Sequence, residues 1–258
     1  MEKITSKSNN LIKEVKKLFT SRKARNENRK FVLEGARLCF DVLNSEYKPL
    51  VLLITENAFE KYRDKCEALV DKFEKSYLIS ADISQKLSDT ENPQGIFAVC
   101  EMKNNDFKPE KGKKYIALDE LQDPSNLGAI IRTGEALGID GAILYNCCDV
   151  YNPKTLRASM GSVLRLPFAV SDNLAQDILK YRKDGFSVYA TVPDSSAKDI
   201  KTVDFNGSDI CVIGNEGNGV SKEVQSASDA LVTINMLGRA ESLNASVAGA
   251  ITMWEMLG

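Results

Sequence analysis

Short apolar runs rich in Val, Ile and Leu alternate along this chain with longer segments whose apolar residues recur every three or four positions. Strands alternating with amphipathic helices predict α/β architecture. In Ser8–Thr20, Leu11, Ile12, Val15, Leu18 and Phe19 share one helical face while lysines occupy the other, which predicts a basic amphipathic helix. After the polar stretch 21–30, Phe31–Gly35 reads as a strand and Ala36–Leu43 as a helix. Strands follow near Leu50–Thr55, Tyr77–Ile79 and Ile96–Cys100, with helices near Phe59–Phe73 and Ile83–Leu87 between them. Met102–Lys114 is charged, poor in apolar residues and carries Pro109 and Gly112, as linkers do. The pattern therefore predicts a smaller N-terminal α/β domain over 1–104, a linker over 105–114 and a second domain over 115–258.

In the second domain, Tyr115–Asp119 reads as a strand and Glu120–Asn126 as a loop ending at a helix cap. The helix Leu127–Leu137 is closed by Gly138. Its Leu127, Ile130, Ile131 and Leu137 form the apolar stripe, and Arg132 points away from it. Strands near Ala142–Tyr145, Phe168–Val170 and Ser187–Thr191 alternate with helices near Lys154–Leu164 and Leu174–Lys183, the signature of a parallel sheet covered on both faces. Two last strands, Ile210–Ile213 and Leu231–Ile234, stop at residues suited to unusual backbone geometry or hydrogen bonding: the glycine loop 214–219 and the stretch Asn235–Asn244. The final helix begins after Asn244. Loops leaving the carboxyl ends of sheet strands are where open α/β folds bind ligands, so these two loops are the predicted pocket.

Composition removes several classes of chemistry. With 258 residues the chain can bury a core without staples, and six cysteines show no C-x-x-C pair. It has no histidine, which excludes His-ligated metal sites and the Ser-His-Asp and Cys-His nucleophile systems, so no metal is expected. No apolar leader and no run of some 18 apolar residues occurs, so a reduced, cytoplasmic protein without a membrane role is expected. The total charge of −2 hides a split, for Met1–Arg37 carries eleven Lys/Arg against four Asp/Glu, or +7, and leaves −9 on the rest. A basic arm on an acidic protein is the footprint of polyanion binding, with a solvated helix face as the plain alternative. Lys13, Lys16, Lys17, Arg22, Lys23, Arg25 and Arg37 are the candidate RNA contacts.

The glycine loop fits neither common nucleotide motif. Gly214–Gly219 has P-loop glycine spacing, but Val220 and Ser221 stand where Lys and Ser/Thr are needed. A dinucleotide fingerprint is G-x-G-x-x-G, whereas the order here is G-x-x-G-x-G, with Glu216 placed to repel a pyrophosphate. An ordinary strand-to-helix turn remains the plain alternative.

Three patches together resemble the SpoU/TrmH family of RNA ribose 2′-O-methyltransferases within the SPOUT group. They are Asn126-Leu127-Gly128-Ala129-Ile130-Ile131-Arg132-Thr133, with its N-x5-R spacing, then Ile213 through Ser221, then Ile234-Asn235-Met236 through Ser242-Leu243-Asn244-Ala245-Ser246-Val247-Ala248. One departure is visible: Asn235 stands where the family commonly has proline. The N-terminal SNNLIKEVKKL and FVLEGARL segments resemble the RNA substrate-binding domain found at the front of many members. The resemblance implies a deep trefoil knot in the C-terminal domain, the rare exception to unknotted topology. It also implies S-adenosylmethionine as cofactor, held by Thr191, Gly214, Asn215, Gly217, Ile234, Met236 and Leu243, and a homodimer in which Arg132 reaches the partner's cofactor, joined partly through the final helix. Arg132, Asn126, Glu216, Ser242 and Asn244 become the implied catalytic set. Arg132 would act on the 2′-hydroxyl, Asn126, Ser242 and Asn244 would orient ribose or Arg132, and Glu216 would fix the glycine loop or pair with Arg132. Read alone, Asn126, Ser242 and Asn244 are equally good helix caps, and Glu216 a partner of local backbone. The implied activity is 2′-O-methylation of ribosomal RNA; transfer RNA, base methylation, a non-catalytic RNA binder and, remotely, a nucleotide-dependent oxidoreductase stay open.

Overall fold

The computed structural model describes residues 1–88, 90–104 and 107–258. Asn105 and Asp106 of the predicted linker lie outside the described residues. The chain divides into two compact units, Met1–Asn104 with Tyr151–Leu164, and Asn105–Val150 with Arg165–Gly258.

The first unit is built on a mixed five-stranded sheet. In chain order it contains β1 (Glu2–Ile4), α1 (Asn10–Thr20), α2 (Arg22–Asn28), β2 (Lys30–Glu34), α3 (Ala36–Asp41), β3 (Pro49–Thr55), α4 (Glu56–Lys61), α5 (Arg63–Lys72), β4 (Lys75–Ile79), α6 (Ala81–Leu87) and β5 (Ile96–Glu101). The strand order is β1-β4-β3-β5-β2, parallel except where β5 runs against β3 and β2. Helix α1 is the predicted one: Asn9 caps it through the Leu11 N–H, and Ile12, Val15, Leu18 and Phe19 are buried against the sheet residues Val32, Leu53 and Phe97. Helix α2 was not expected, because its sequence RKARNEN has no apolar face. Two local interactions hold it. Ser21 caps it through the Ala24 N–H, and the buried Arg25 guanidinium donates to the Leu18 and Phe19 carbonyls at 2.6 and 3.2 Å, satisfying the open C-terminal end of α1. The predicted helix over Phe59–Phe73 is two helices, α4 and α5, which meet at Tyr62.

The second unit is a seven-stranded, wholly parallel sheet. It runs β6 (Lys114–Asp119), α7 (Pro124–Leu137), β7 (Gly141–Tyr145), then, after the Tyr151–Leu164 segment with α8 (Pro153–Ser159), β8 (Phe168–Ser171), α9 (Leu174–Lys183), β9 (Ser187–Thr191), β10 (Lys198–Asp199), β11 (Asp209–Ile213), α10 (Lys222–Ala227), β12 (Ala230–Thr233) and α11 (Ala245–Leu257). The strand order is β10-β12-β9-β11-β6-β7-β8. Leu174 and Ile178 of α9 and Val224 and Ala227 of α10 pack with Ala117, Ile143, Val188, Ala190, Ile210 and Val212 in one core. Helix α11 lies over the other face, on Ile213, one residue beyond Val212 and so opposite in direction. There α7 and α11 come close at two glycines: a Cβ on Gly249 would lie 3.2 Å from Ile130 Cγ1, and one on Gly134 3.3 Å from Met253 Sδ.

Segment Tyr151–Leu164 leaves the second sheet between β7 and β8 and groups with the first unit. The Tyr151 ring packs 4.5 Å from Phe31, its hydroxyl lies 3.3 Å from that of Tyr47, and Arg157 Nη1 stands 3.9 Å from Glu34 Oε2. No helix among the described residues is long and apolar enough to cross a membrane.

Candidate active site

Three loops leave the carboxyl ends of β9, β11 and β12. In the sheet β9 sits between the other two, so the loops after Ile213 and Thr233 face each other across the end of Thr191. They enclose a cavity of 480 Å³, within the usual range for small-molecule sites. All seven residues assigned to the cofactor, Thr191, Gly214, Asn215, Gly217, Ile234, Met236 and Leu243, line this cavity, together with Glu216 and Ser242. So do Asp194, Lys222, Gln225 and Glu241, which the sequence pattern does not single out; their only signal is that each follows a strand end or pocket loop closely. Asp194, Glu216, Glu241 and Lys222 are the charged lining residues, and Ile213, Leu231, Ile234, Met236 and Leu243 supply an apolar wall. Such a lining suits a ligand with a flat apolar group and positive charge, and is poor for a polyphosphate.

The glycine loop is folded tightly back on itself. Asn215 and Gly219 exchange backbone hydrogen bonds of 3.0 Å, and Gly219 takes a φ of 68°, which favours glycine. A Cβ on Gly214 would lie 2.1 Å from Gly219 C and Val220 N, so no side chain fits there. Inside the loop Asn215 Oδ1 accepts from Gly217 N and Asn218 N at 2.9 and 3.0 Å. Outside it, the stretch Asp119–Asn126 supplies most of the anchors, and Gln225 Nε2 adds one by donating to the Val220 carbonyl at 2.7 Å. Asn215 Nδ2 donates to the Glu120 carbonyl at 2.8 Å. The Glu216 carboxylate accepts from Gln122 N, Asp123 N and Asn126 Nδ2 at 3.1, 2.9 and 3.0 Å. Ser221 N donates to Asp119 Oδ2 at 2.8 Å. Burial pushes the Glu216 carboxyl up, but the donors from Asn126, Asp123 and Gln122 outweigh it and hold the group below its ordinary value, so it stays ionised as an anchor. At Asp119 burial prevails over the Ser221 hydrogen bonds and raises the carboxyl.

Pattern alone puts a helix cap at Asn126, and the structure moves it. Helix α7 begins at Pro124, and Asp123 caps it by accepting from Ser125 N at 2.8 Å. Proline at the first helical turn needs no N–H partner, which shifts the start upstream. Asn126 is thereby free of capping. It is buried, donates to Glu216, and accepts from Asn244 Nδ2 at 3.0 Å. Asn244 does cap α11, its Oδ1 accepting from Ser246 N at 2.9 Å, and it uses the amide for Asn126. One side-chain relay, Asn244–Asn126–Glu216, thus joins all three sequence patches. Ser242 is exposed at the cavity rather than capping the helix. Arg132 is exposed on α7, as its position opposite the apolar stripe requires; it does not line the cavity. Within one chain, Glu216 therefore anchors the loop and does not pair with Arg132.

In the first unit, Lys13, Lys17, Arg22, Lys23 and Arg37 are exposed. Lys23 lies 3.7 Å from Glu27 on the same helix, a pair too exposed to withdraw it from a ligand. Lys16 is half-buried and donates to the Leu87 carbonyl at 3.1 Å, and Arg25 is buried under the end of α1. Burial and backbone bonding take Arg25 out of the set of RNA contacts named from charge alone.

The family model described as SpoU rRNA Methylase matches residues 113–254, and the one described as MRM3-like substrate binding domain matches residues 9–98. The chain is 32% identical to the 23S rRNA (guanosine(2553)-2′-O)-methyltransferase RlmP of Bacillus subtilis, covering 100% of both chains. Among solved structures it resembles the AdoMet-bound rRNA methyltransferase from Sinorhizobium meliloti, with TM-score 0.88 and 30% identity over 99% of this chain and 97% of that one. It also resembles the SpoU methyltransferase AviRb from Streptomyces viridochromogenes in complex with AdoMet, with TM-score 0.86 and 26% identity over 96% and 97% of the two chains.

Proposed function

The chain belongs to the SpoU rRNA Methylase family, and from that premise we propose that it transfers the methyl group of S-adenosylmethionine to a ribose 2′-hydroxyl of ribosomal RNA. The observation that carries this reading is the Asn244–Asn126–Glu216 relay, which ties the first turn of the Arg132 helix to the loop lining the cavity. Bound S-adenosylmethionine supplies an electrophilic methyl on a positively charged sulfur. The cavity suits it: backbone groups of Gly214, Ile234, Met236 and Leu243 can recognise adenine, and Asp194 and Glu241 against the single Lys222 favour a cation. Thr191, Gly214, Asn215, Gly217, Ile234, Met236 and Leu243 are the residues we assign to holding it. We assign the family's knotted threading to the C-terminal chain on the same grounds.

On the acceptor side the protein's contribution is alignment, which can supply most of the rate in an in-line displacement. The Arg132 guanidinium offers a planar fork of donors that holds the ribose or its phosphate and stabilises the developing alkoxide. The hydroxyl proton passes to a substrate phosphate or to water. Ser242, exposed at the cavity edge, is assigned to orienting the ribose. Arg132 does not reach the cavity of its own chain, which supports a two-fold dimer in which it serves the partner's site. Helix α11 supports the same arrangement, since it leaves Val247 and Trp254, seven residues apart, 46% and 63% exposed. A ribosomal RNA substrate supports a cytoplasmic protein. The direct test is incubation of purified protein with S-adenosylmethionine and unmodified ribosomal RNA, followed by nucleoside mass spectrometry. A 2′-O-methylnucleoside is the expected product, and a base-methylated one would overturn the ribose assignment.

The first unit is assigned to holding the RNA through Lys13, Lys17, Arg22, Lys23 and Arg37. Because β1 pairs with β4 and α1 fills the core, deleting the N-terminus would unfold this unit. Point changes avoid that. Replacing Lys13, Lys17, Arg22 and Lys23 by Gln should weaken RNA binding and lower the slope of log affinity against log salt by about three, at roughly 0.7 to 0.9 per phosphate contact. Filter binding at several salt concentrations reads the slope, and an unchanged one removes these residues from the interface.

A further inference from the structure

Of the anchors on the glycine loop, two hold its entry and tip through Asn215 and Glu216, and the exit, where Val220 leads into α10, is held by Asp119 at Ser221 N and by Gln225 Nε2, which donates to the Val220 carbonyl at 2.7 Å. Asp119 ends β6 and is wholly buried. Its Oδ2 accepts the Ser221 N–H at 2.8 Å, whereas its Oδ1 is buried with no hydrogen-bond partner among the described residues. A half-satisfied buried carboxylate destabilises a fold relative to a well-packed apolar residue, so stability is a poor reason for an aspartate here. Ser221 itself makes no side-chain cap on α10, and its backbone N–H depends on this acceptor.

We infer that Asp119 is a positioning residue for the methyl donor, acting through the exit of the glycine loop. The inference rests on the reading of the cavity as the S-adenosylmethionine site. By fixing Ser221, Asp119 fixes Gly219 and Val220, which line the cavity. Gly214 lies against the backbone of those two residues so closely that a shift of the exit displaces it as well. Glu216 is held separately, by Gln122, Asp123 and Asn126, so loss of Asp119 leaves the tip and the acceptor helix in register.

The test is calorimetric titration of the full chain with S-adenosylmethionine, together with steady-state methyl transfer. Asp119→Ala should weaken donor binding about tenfold or more, as expected for loss of a hydrogen bond to a charged group. It should raise KM for the donor in step, with kcat at saturating donor little changed. Asp119→Asn keeps an oxygen for the Ser221 N–H and should bind within about threefold of wild type. Ser221→Pro removes the donor at the other end of the bond while Asp119 stays intact, and the φ of −61° at Ser221 suits proline, so this variant reports on the bond even if Asp119→Ala fails to fold. Wild-type affinity in Asp119→Ala or Ser221→Pro overturns the inference. So does a fall in kcat with unchanged KM and affinity, which marks a merely structural residue. If the wild-type protein itself fails to bind the donor, the functional reading falls first and the inference with it.

Discussion

Arg132→Ala is expected to lower methyl transfer by about 10²- to 10³-fold or more while leaving S-adenosylmethionine affinity at its wild-type value. The expected size is that of removing a donor aimed at charge that develops only in the transition state. The split between the two readouts comes from the assigned role: Arg132 is exposed on α7, does not line its own chain's cavity and is assigned to the acceptor ribose, so donor affinity should change little. Arg132→Lys keeps the charge but loses the planar fork and should recover little of the rate. Single-turnover transfer and calorimetry on the same preparations check both halves. Full activity in Arg132→Ala would remove this side chain from the mechanism.

The second large effect is expected at Gly214→Ala, which should abolish measurable donor binding and lower the melting temperature. The added methyl would lie 2.1 Å from Gly219 C and Val220 N, and backbone atoms cannot swing aside as a side chain does. The Asn215–Gly219 hydrogen bonds would have to open, taking the cavity wall with them. Gly217→Ala is the control for stability. Its Cβ would meet only Asn215 Oδ1, at 3.6 Å, so its melting temperature should match wild type. The two inactive variants together also test the dimer. If Arg132 serves the partner's cavity, mixing Arg132→Ala with Gly214→Ala subunits yields mixed dimers with one intact site, and about a quarter of wild-type activity should return. No recovery after verified subunit exchange would place Arg132 at its own chain's cavity.

Much of this protein can be read from one-dimensional pattern, because periodicity reports which face of an element is buried. The strands β6, β7, β9 and β11, the face of α7 that turns Arg132 outward, and the helix α11 all follow from apolar spacing. The two loops that end β11 and β12 are visible as Gly-, Asn- and Ser-rich punctuation, and the seven residues that the family resemblance, not the pattern, assigns to the donor line one cavity. Helix α2 escapes such reading because a buried arginine holds it, not an apolar stripe, and the cap of α7 shifts because a proline changes which residue needs a partner.

Relations between distant residues were decided only by the tertiary structure. That β9 lies between β12 and β11, that Tyr151–Leu164 belongs with the first unit, and that Glu216 bonds to residues some 90 positions earlier are facts of strand order and chain path, which leave no mark on local composition. A buried polar atom takes whichever partner the fold brings within reach, and residue type alone does not say which. Hence Asn126 is equally a cap or a relay on paper, and only the packing of α7 on α11 makes it the link between Asn244 and Glu216.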